Sequence, residues 1–136
     1  MPIERLSAED ALMLRGDELW PQDIGAVVLL DGGPLLDPDG ALGIDVIREA
    51  IRSRLHLVPR LRQVLCVPRR GLGTPVWVDH PGLDLTEHVQ VLPLPAPGGE
   101  PELLRTVEQL KRRRLDRSRP LWEMWFLTGL TQGRVA

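Results

Sequence analysis

Leu115 Asp116 Arg117 Ser118 Arg119 Pro120 Leu121 Trp122 Glu123 Met124 Trp125 joins two periodicities. Upstream, Leu103, Leu104, Val107, Leu110 and Leu115 recur at helical spacing and predict a helix over about Glu102 to Leu115. Asp116 to Pro120 breaks it, because proline cannot continue a helix and restricts the residue before it. Leu121 to Thr128 then reads as a strand, and Gly129 to Gly133 as a turn. Val135 and Ala136 could start a partner for that last strand. Two residues make a short ladder, so an open apolar edge near Trp125 is expected.

Working toward the amino terminus, Pro93 to Pro101 holds four prolines and two glycines and reads as a loop. Leu85 to Leu92 is ambiguous. Leu61 to Val67 and Pro75 to Asp79 are extended and predict a hairpin across the turn-rich Arg69 to Thr74. Ile44, Ile47, Ile51 and Leu55 define an amphipathic helix from Ile44 to about Leu57, stopped by Pro59. Ile24 to Leu30 is a continuous apolar run that predicts a strand covered on both faces. Ser7 and Asp10 mark a helix start, with a short helix to about Arg15 and Gly16 as its left-handed end. The order is mixed α and β without repeats, and no domain boundary is visible.

The bulk properties bound the function. The chain has 136 residues, 43% hydrophobic and 26% charged, with a net charge of −2, which suits one soluble domain and gives no global attraction to nucleic acid or anionic membrane. A single Cys66 allows no internal disulfide and is expected as an inert core or strand thiol in a reducing cytoplasm. Met1 to Leu6 lacks a basic region followed by an apolar run, and no stretch is long enough to cross a bilayer.

Candidate chemistry is sparse. His56, His80 and His88 have no metal-ligand spacing, and structural roles are the default for each. Lys111 to Arg114 with Arg117 and Arg119 could face phosphate, but a basic helix end that complements the helix dipole is the simpler reading. Trp20, Trp77, Trp122 and Trp125 read as packing residues with satisfied indole N–H groups. Gly32 Gly33 and Gly71 to Gly73 are turn glycines without phosphate-loop spacing. Ser7, Ser53 and Ser118 lack a nucleophile elbow. By residues alone the chain is a soluble mixed α/β unit with no visible catalytic constellation.

"LDRSRPLWE" (Leu115–Glu123) followed by an apolar strand resembles the segment that precedes the HHxxxDG motif in the wax ester synthase/diacylglycerol acyltransferase family. Further fragments resemble the family in the same order: Leu6 to Asp10, Gly25 to Gly32, "RLHLVPRLR" at Arg54–Arg62, Pro75 to Val78, Asp84 to Val89, and Leu92 Pro93. The resemblance implies an α/β (mixed α+β) fold. The chain would be a partial N-terminal half of a coenzyme A-dependent acyltransferase-like (chloramphenicol acetyltransferase-like) fold, with residues 1–136 as a single partial domain. It also implies acyl transfer from acyl-CoA to diacylglycerol or a long-chain alcohol, with the second His of HHxxxDG as general base.

That motif is absent from these residues, so no residue is assigned a catalytic role, no metal is expected, and acyl-CoA enters as substrate with no separate cofactor. Arg119, Pro120, Leu121, Trp122 and Glu123 match the family's PLW segment and are expected as scaffold beside the channel. The expectation is an N-terminal portion of an O-acyltransferase that is inactive alone. It would be cytoplasmic or peripheral at a membrane or lipid-body surface, with no nucleic-acid partner. The alternative is a non-catalytic lipid-binding or dimerising module that self-associates through its final strand.

Overall fold

The computed structural model describes residues 3–70 and 72–136; the turn reading of Gly71 and the leader reading of Met1 and Pro2 lie outside them. Along the chain run β1 (Glu4–Arg5), α1 (Ala8–Asp17), β2 (Leu30–Asp31), α2 (Ile44–Arg52), two 3-10 turns (Leu55–Leu57 and Pro59–Arg62), β3 (Gln63–Cys66), β4 (Val76–Asp79), α3 (Leu85–His88), β5 (Val89–Pro93), α4 (Glu100–Lys111), β6 (Met124–Thr128), a third 3-10 turn (Thr131–Gly133) and β7 (Arg134–Val135). These elements divide into two compact units.

The first unit comprises the residues up to Ile24, Leu55–Leu83 and Arg114–Trp122. β3 and β4 form the predicted antiparallel hairpin, Gln63 opposite Asp79 and Cys66 opposite Val76, and β1 adds to the far edge of β4. Pro59 does not end the preceding helix; it opens a 3-10 turn, where its missing N–H costs nothing. The Ser7 hydroxyl accepts the Asp10 N–H at 3.0 Å, as a helix cap should. Gly16 stays inside α1, which ends at Asp17 with Glu18 still right-handed. α1 buries none of its residues, and Trp20 is 74% exposed rather than packed. Cys66 is exposed, because it ends β3 on the outward side of the ladder.

The second unit comprises Gly25–Arg54, Asp84–Arg113 and Glu123–Ala136. β5 and β6 pair in parallel, Val89 opposite Met124 through Pro93 opposite Thr128, with α4 lying between them in sequence as in a βαβ unit. α4 starts two residues before its predicted start, since the Gly99 N–H donates to the Glu102 carboxylate at 2.9 Å and Pro101 sits in the first turn. It stops at Lys111, so Leu115 lies outside it, and Leu104 is solvent-facing. Leu103 of α4 packs with Leu94, Leu127 and Leu130 in the core, flanked by Val107, Leu110, Trp125 and Ala136. Each such buried leucine contributes on the order of 2 kcal/mol by removal from water.

Two strand expectations need correction. The final strand is shorter than Leu121–Thr128, because Pro120, which cannot donate, is followed by a tight turn in which the Trp122 N–H bonds the Pro120 carbonyl at 2.9 Å. Nor is it unpartnered: β5 takes one side, and on the other Leu127 exchanges two backbone hydrogen bonds with Ala136, at 2.7 and 3.1 Å. Ile24 to Leu30, expected as a strand covered on both faces, is laddered only at its end. Leu30 pairs with Val135 and Asp31 with Arg134, while Val27, Val28 and Leu29 are exposed. α2 also ends early, at Arg52, with the Arg54 N–H bonding the Ile51 carbonyl and Leu55–Leu57 tightening into a 3-10 turn. Its Ile44, Ile47 and Ile51 are only half-buried.

Candidate functional site

The Arg119–Glu123 segment enters the structure through a rigid turn. The Asp116 carboxylate accepts the Ser118 hydroxyl at 2.7 Å and the Ser118 N–H at 2.9 Å, and Arg119 returns to Asp116 as an ion pair at 3.2 Å. The Ser118 hydroxyl, then its N–H, hold the Asp116 carboxyl below the usual carboxylate range. Pro120 is buried. The Trp122 indole N–H donates to the Leu61 carbonyl at 2.9 Å, fastening the segment to the 3-10 turn that precedes β3. Glu123, in the second unit, is exposed and accepts the Trp125 indole N–H at 3.0 Å.

Arg114 and Arg117 carry the second fastening. Both lie beyond the end of α4, and the helix end they complement is that of α1: Arg114 donates to the Asp17 carbonyl at 2.6 Å and to the Glu18 carbonyl at 3.2 Å. Arg117 meets the Asp17 carboxylate at 2.5 Å. The Gln22 backbone N–H, at 2.8 Å, and then Arg117 depress the Asp17 pKa. The rest of the basic run is engaged as well. Arg112 pairs with Glu108 at 2.6 Å, and Arg113 lies 5.5 Å above the Trp125 ring. Sequence reading took this run as the end of its own helix; the isolated Asp17, about a hundred residues away, carried no pattern to reveal the pairing.

These fastenings border an open groove of 620 Å³ within the first unit. Its floor is apolar, from Leu6, Leu14, Leu65 and Leu121, so Leu121 is the predicted residue that reaches it. Its rim is charged but self-neutralised: Arg117 and Arg114 face Asp17, and Arg60 stacks 4.3 Å above Trp77 while pairing with Glu4 at 2.8 Å. The histidines are elsewhere. His56 is exposed, His88 is buried in α3, and none lines the groove. Among the described residues no three His, Cys, Asp or Glu side chains converge on a metal-sized site. Among the described residues that line the groove are the carboxylates Asp10, Asp17 and Asp23, with no histidine, cysteine or serine.

Comparison with known proteins identifies the family and the fold. The family model described as the wax ester synthase/diacylglycerol acyltransferase catalytic domain matches residues 6–136. A Mycobacterium tuberculosis protein named "Probable diacyglycerol O-acyltransferase tgs3" is 36% identical over 135 residues, covering 98% of this chain and 48% of its own length. Its namesake tgs1 is 39% identical over 113 residues, 83% of this chain and 23% of the relative. The solved wax ester synthase/diacylglycerol acyltransferase from Marinobacter aquaeolei VT8 superposes with a TM-score of 0.67 at 26% identity, over 97% of this chain and 31% of that one. The chain thus spans about half of the first relative and under a third of the solved structure. Its fold is that of the coenzyme A-dependent acyltransferases, matched in their N-terminal part. On the match over residues 6–136, the chain belongs to the wax ester synthase/diacylglycerol acyltransferase family.

Proposed function

We propose that this chain supplies the N-terminal framework of an O-acyltransferase that moves a fatty acyl group from acyl-CoA to the hydroxyl of diacylglycerol or a long-chain alcohol, and that these residues alone do not catalyse the transfer. The family match over residues 6–136 carries the reading. In the reaction the acceptor oxygen attacks the thioester carbonyl, the C–S bond breaks, and the hydroxyl proton passes through a base to the departing thiol. That base would come from an HHxxxDG segment, which these 136 residues lack. Arg119 to Glu123 would act as scaffold: buried Pro120 and the Trp122–Leu61 bond anchor the segment within the first unit, and a site needs such rigid support. No helix among the described residues is long and apolar enough to cross a membrane, and the exposed Leu12, Leu19 and Trp20 support peripheral contact with a lipid surface.

The test is an assay with radiolabelled palmitoyl-CoA and either diolein or hexadecanol. The purified chain should form no ester above background, and co-expression with the remaining length of a family member should restore it. Ester formation by the chain alone would refute the inactive-framework reading. Failure of the co-expressed pair, with both parts folded, would refute the acyltransferase reading.

A further inference from the structure

One stripe of α1 forms a wall of the groove in the first unit. Asp10, Met13, Leu14 and Asp17, which line it, are spaced i, i+3, i+4 and i+7 and so share one side of the helix. Met13 and Leu14 add to the apolar lining from Leu6, Leu65 and Leu121. Yet α1 buries none of its residues, and it carries Gly16, a poor helix former, next to its last position.

The attachments of α1 sit at its two ends. In front of it, the Leu6 N–H bonds the Pro75 carbonyl at 2.8 Å, Leu6 is buried, and β1 is laddered to β4. At its rear, the Asp17 carboxylate meets Arg117 at 2.5 Å and Arg114 at 3.8 Å, and Arg114 also takes the Asp17 carbonyl at 2.6 Å. Between these ends, Ala8 to Gly16 make no side-chain hydrogen bond or ion pair with another element among the described residues. The two anchors differ in kind. The front one is backbone hydrogen bonding around a buried leucine. The rear one is an ion pair partly open to solvent, which is the weaker sort. A segment with little buried surface between firm ends opens at low free-energy cost, and it opens from the weaker end.

We propose that α1 is a hinged flap on this groove, pivoting at Ser7 and latched at Asp17 by Arg114 and Arg117, and that releasing the latch lays open the leucine floor. The segment that carries Arg117 also carries Leu121 of that floor. The latch therefore governs how much of the apolar floor a ligand can reach. The inference does not rest on the acyltransferase reading.

The experiment uses the full chain, hydrogen exchange read by mass spectrometry, and the neutral apolar dye N-phenyl-1-naphthylamine. A ten-residue helix is marginal in isolation, so the α1 amides exchange once the flap swings free. Opening exposes little surface, so urea should barely promote exchange in α1 while promoting it steeply in β3 and β4. Arg117→Gln and Asp17→Asn should each speed α1 exchange about three- to fivefold, the range for a partly exposed ion pair. The double variant should go little further, because both changes remove the same bond. The dye needs the open form, so its apparent affinity should rise by the same factor. Leu14→Gln should weaken dye binding, and Leu12→Gln, at a 69% exposed position outside the groove lining, should not. Without any substitution, about 1 M sodium chloride, which screens charges beyond about 3 Å, should reproduce the Arg117→Gln behaviour.

One shared urea dependence for α1 and the hairpin overturns the flap, since the unit would then open as a whole. Exchange in α1 that ignores both salt and the two variants overturns the latch, as do summed effects in the double variant. Faster α1 exchange with dye affinity unchanged or absent overturns the claim that α1 covers the floor. No outcome here bears on acyl transfer, so failure of the flap and failure of the acyltransferase reading remain separate.

Discussion

The Trp122 indole N–H and the Leu61 carbonyl, 61 positions apart in sequence, meet at 2.9 Å. A proline fixes the backbone two residues before the donor, and a 3-10 turn presents the acceptor. The bond ties the signature to the 3-10 turn before β3 within the first unit.

Trp122→Phe keeps most of the ring and deletes the donor. The expected loss is about 1 kcal/mol, the ordinary value of one such hydrogen bond. Urea unfolding should show it as a lower midpoint with an unchanged slope, and Trp20→Ser at an exposed site should shift the midpoint by no more than about 0.5 kcal/mol equivalent.

Asp17 couples stability to pH. Its folded pKa lies below the ordinary aspartate value near 3.9, set first by the Gln22 N–H and then by Arg117. A depressed carboxylate stabilises the fold above its unfolded pKa, and that contribution is lost as pH falls through the folded value. Asp17→Asn should therefore be less stable than the parent at pH 7, by about 0.5 to 1 kcal/mol for so exposed a pair. The gap should narrow as pH falls below the unfolded value near 3.9 and on through the lower folded value. Melting curves of both proteins from pH 7 to pH 3 measure this; a gap that does not narrow over that range would contradict it.

Gly98 and Gly40 both adopt positive φ, at +70° and +80°, but of the two Gly98 sits against backbone: a Cβ there would overlap the Gly129 carbonyl oxygen, whereas Gly40 has open space. Gly40→Ala should cost about 1 kcal/mol from conformation alone. Gly98→Ala should cost about 3 kcal/mol or more, because the Gly129 carbonyl must move. Thermal melts of the two variants give the difference directly.

Arg48 donates to the Val89 carbonyl from both Nε, at 3.1 Å, and Nη2, at 2.8 Å, at the first residue of β5. Lysine retains the charge without the planar fork. Arg48→Lys should destabilise by about 1 kcal/mol, with faster hydrogen exchange at the start of β5 as the local readout.

Much of the architecture was legible in the chain because its signals are local. The β3–β4 hairpin followed from two extended runs around a turn. Ser7 marked the α1 start, and the spacing of Leu103, Val107 and Leu110 marked the face of α4. The fragments from Leu6 to Glu123 indicated the family, as the match over residues 6–136 shows. The places where reading failed are those where the deciding partner is distant. Ile24 to Leu30 has the composition of a covered strand, yet whether such a run is covered depends on a neighbour, and β7 supplies only Val135 and Arg134. Leu121 to Thr128 has the alternation of a longer strand, yet the turn at Pro120 sets where pairing begins.

Local grammar thus determined the β3–β4 hairpin, the start of α1, the break at Asp116–Pro120 and the identity of the signature, since capping, periodicity and proline geometry act over a few residues. Only the tertiary structure decided that Arg114 and Arg117 serve the end of α1, that Trp122 is held by Leu61, and that β7 lies between β2 and β6. Those contacts join residues tens of positions apart, where the free energy depends on which surfaces the folded chain brings together rather than on any pattern written along it.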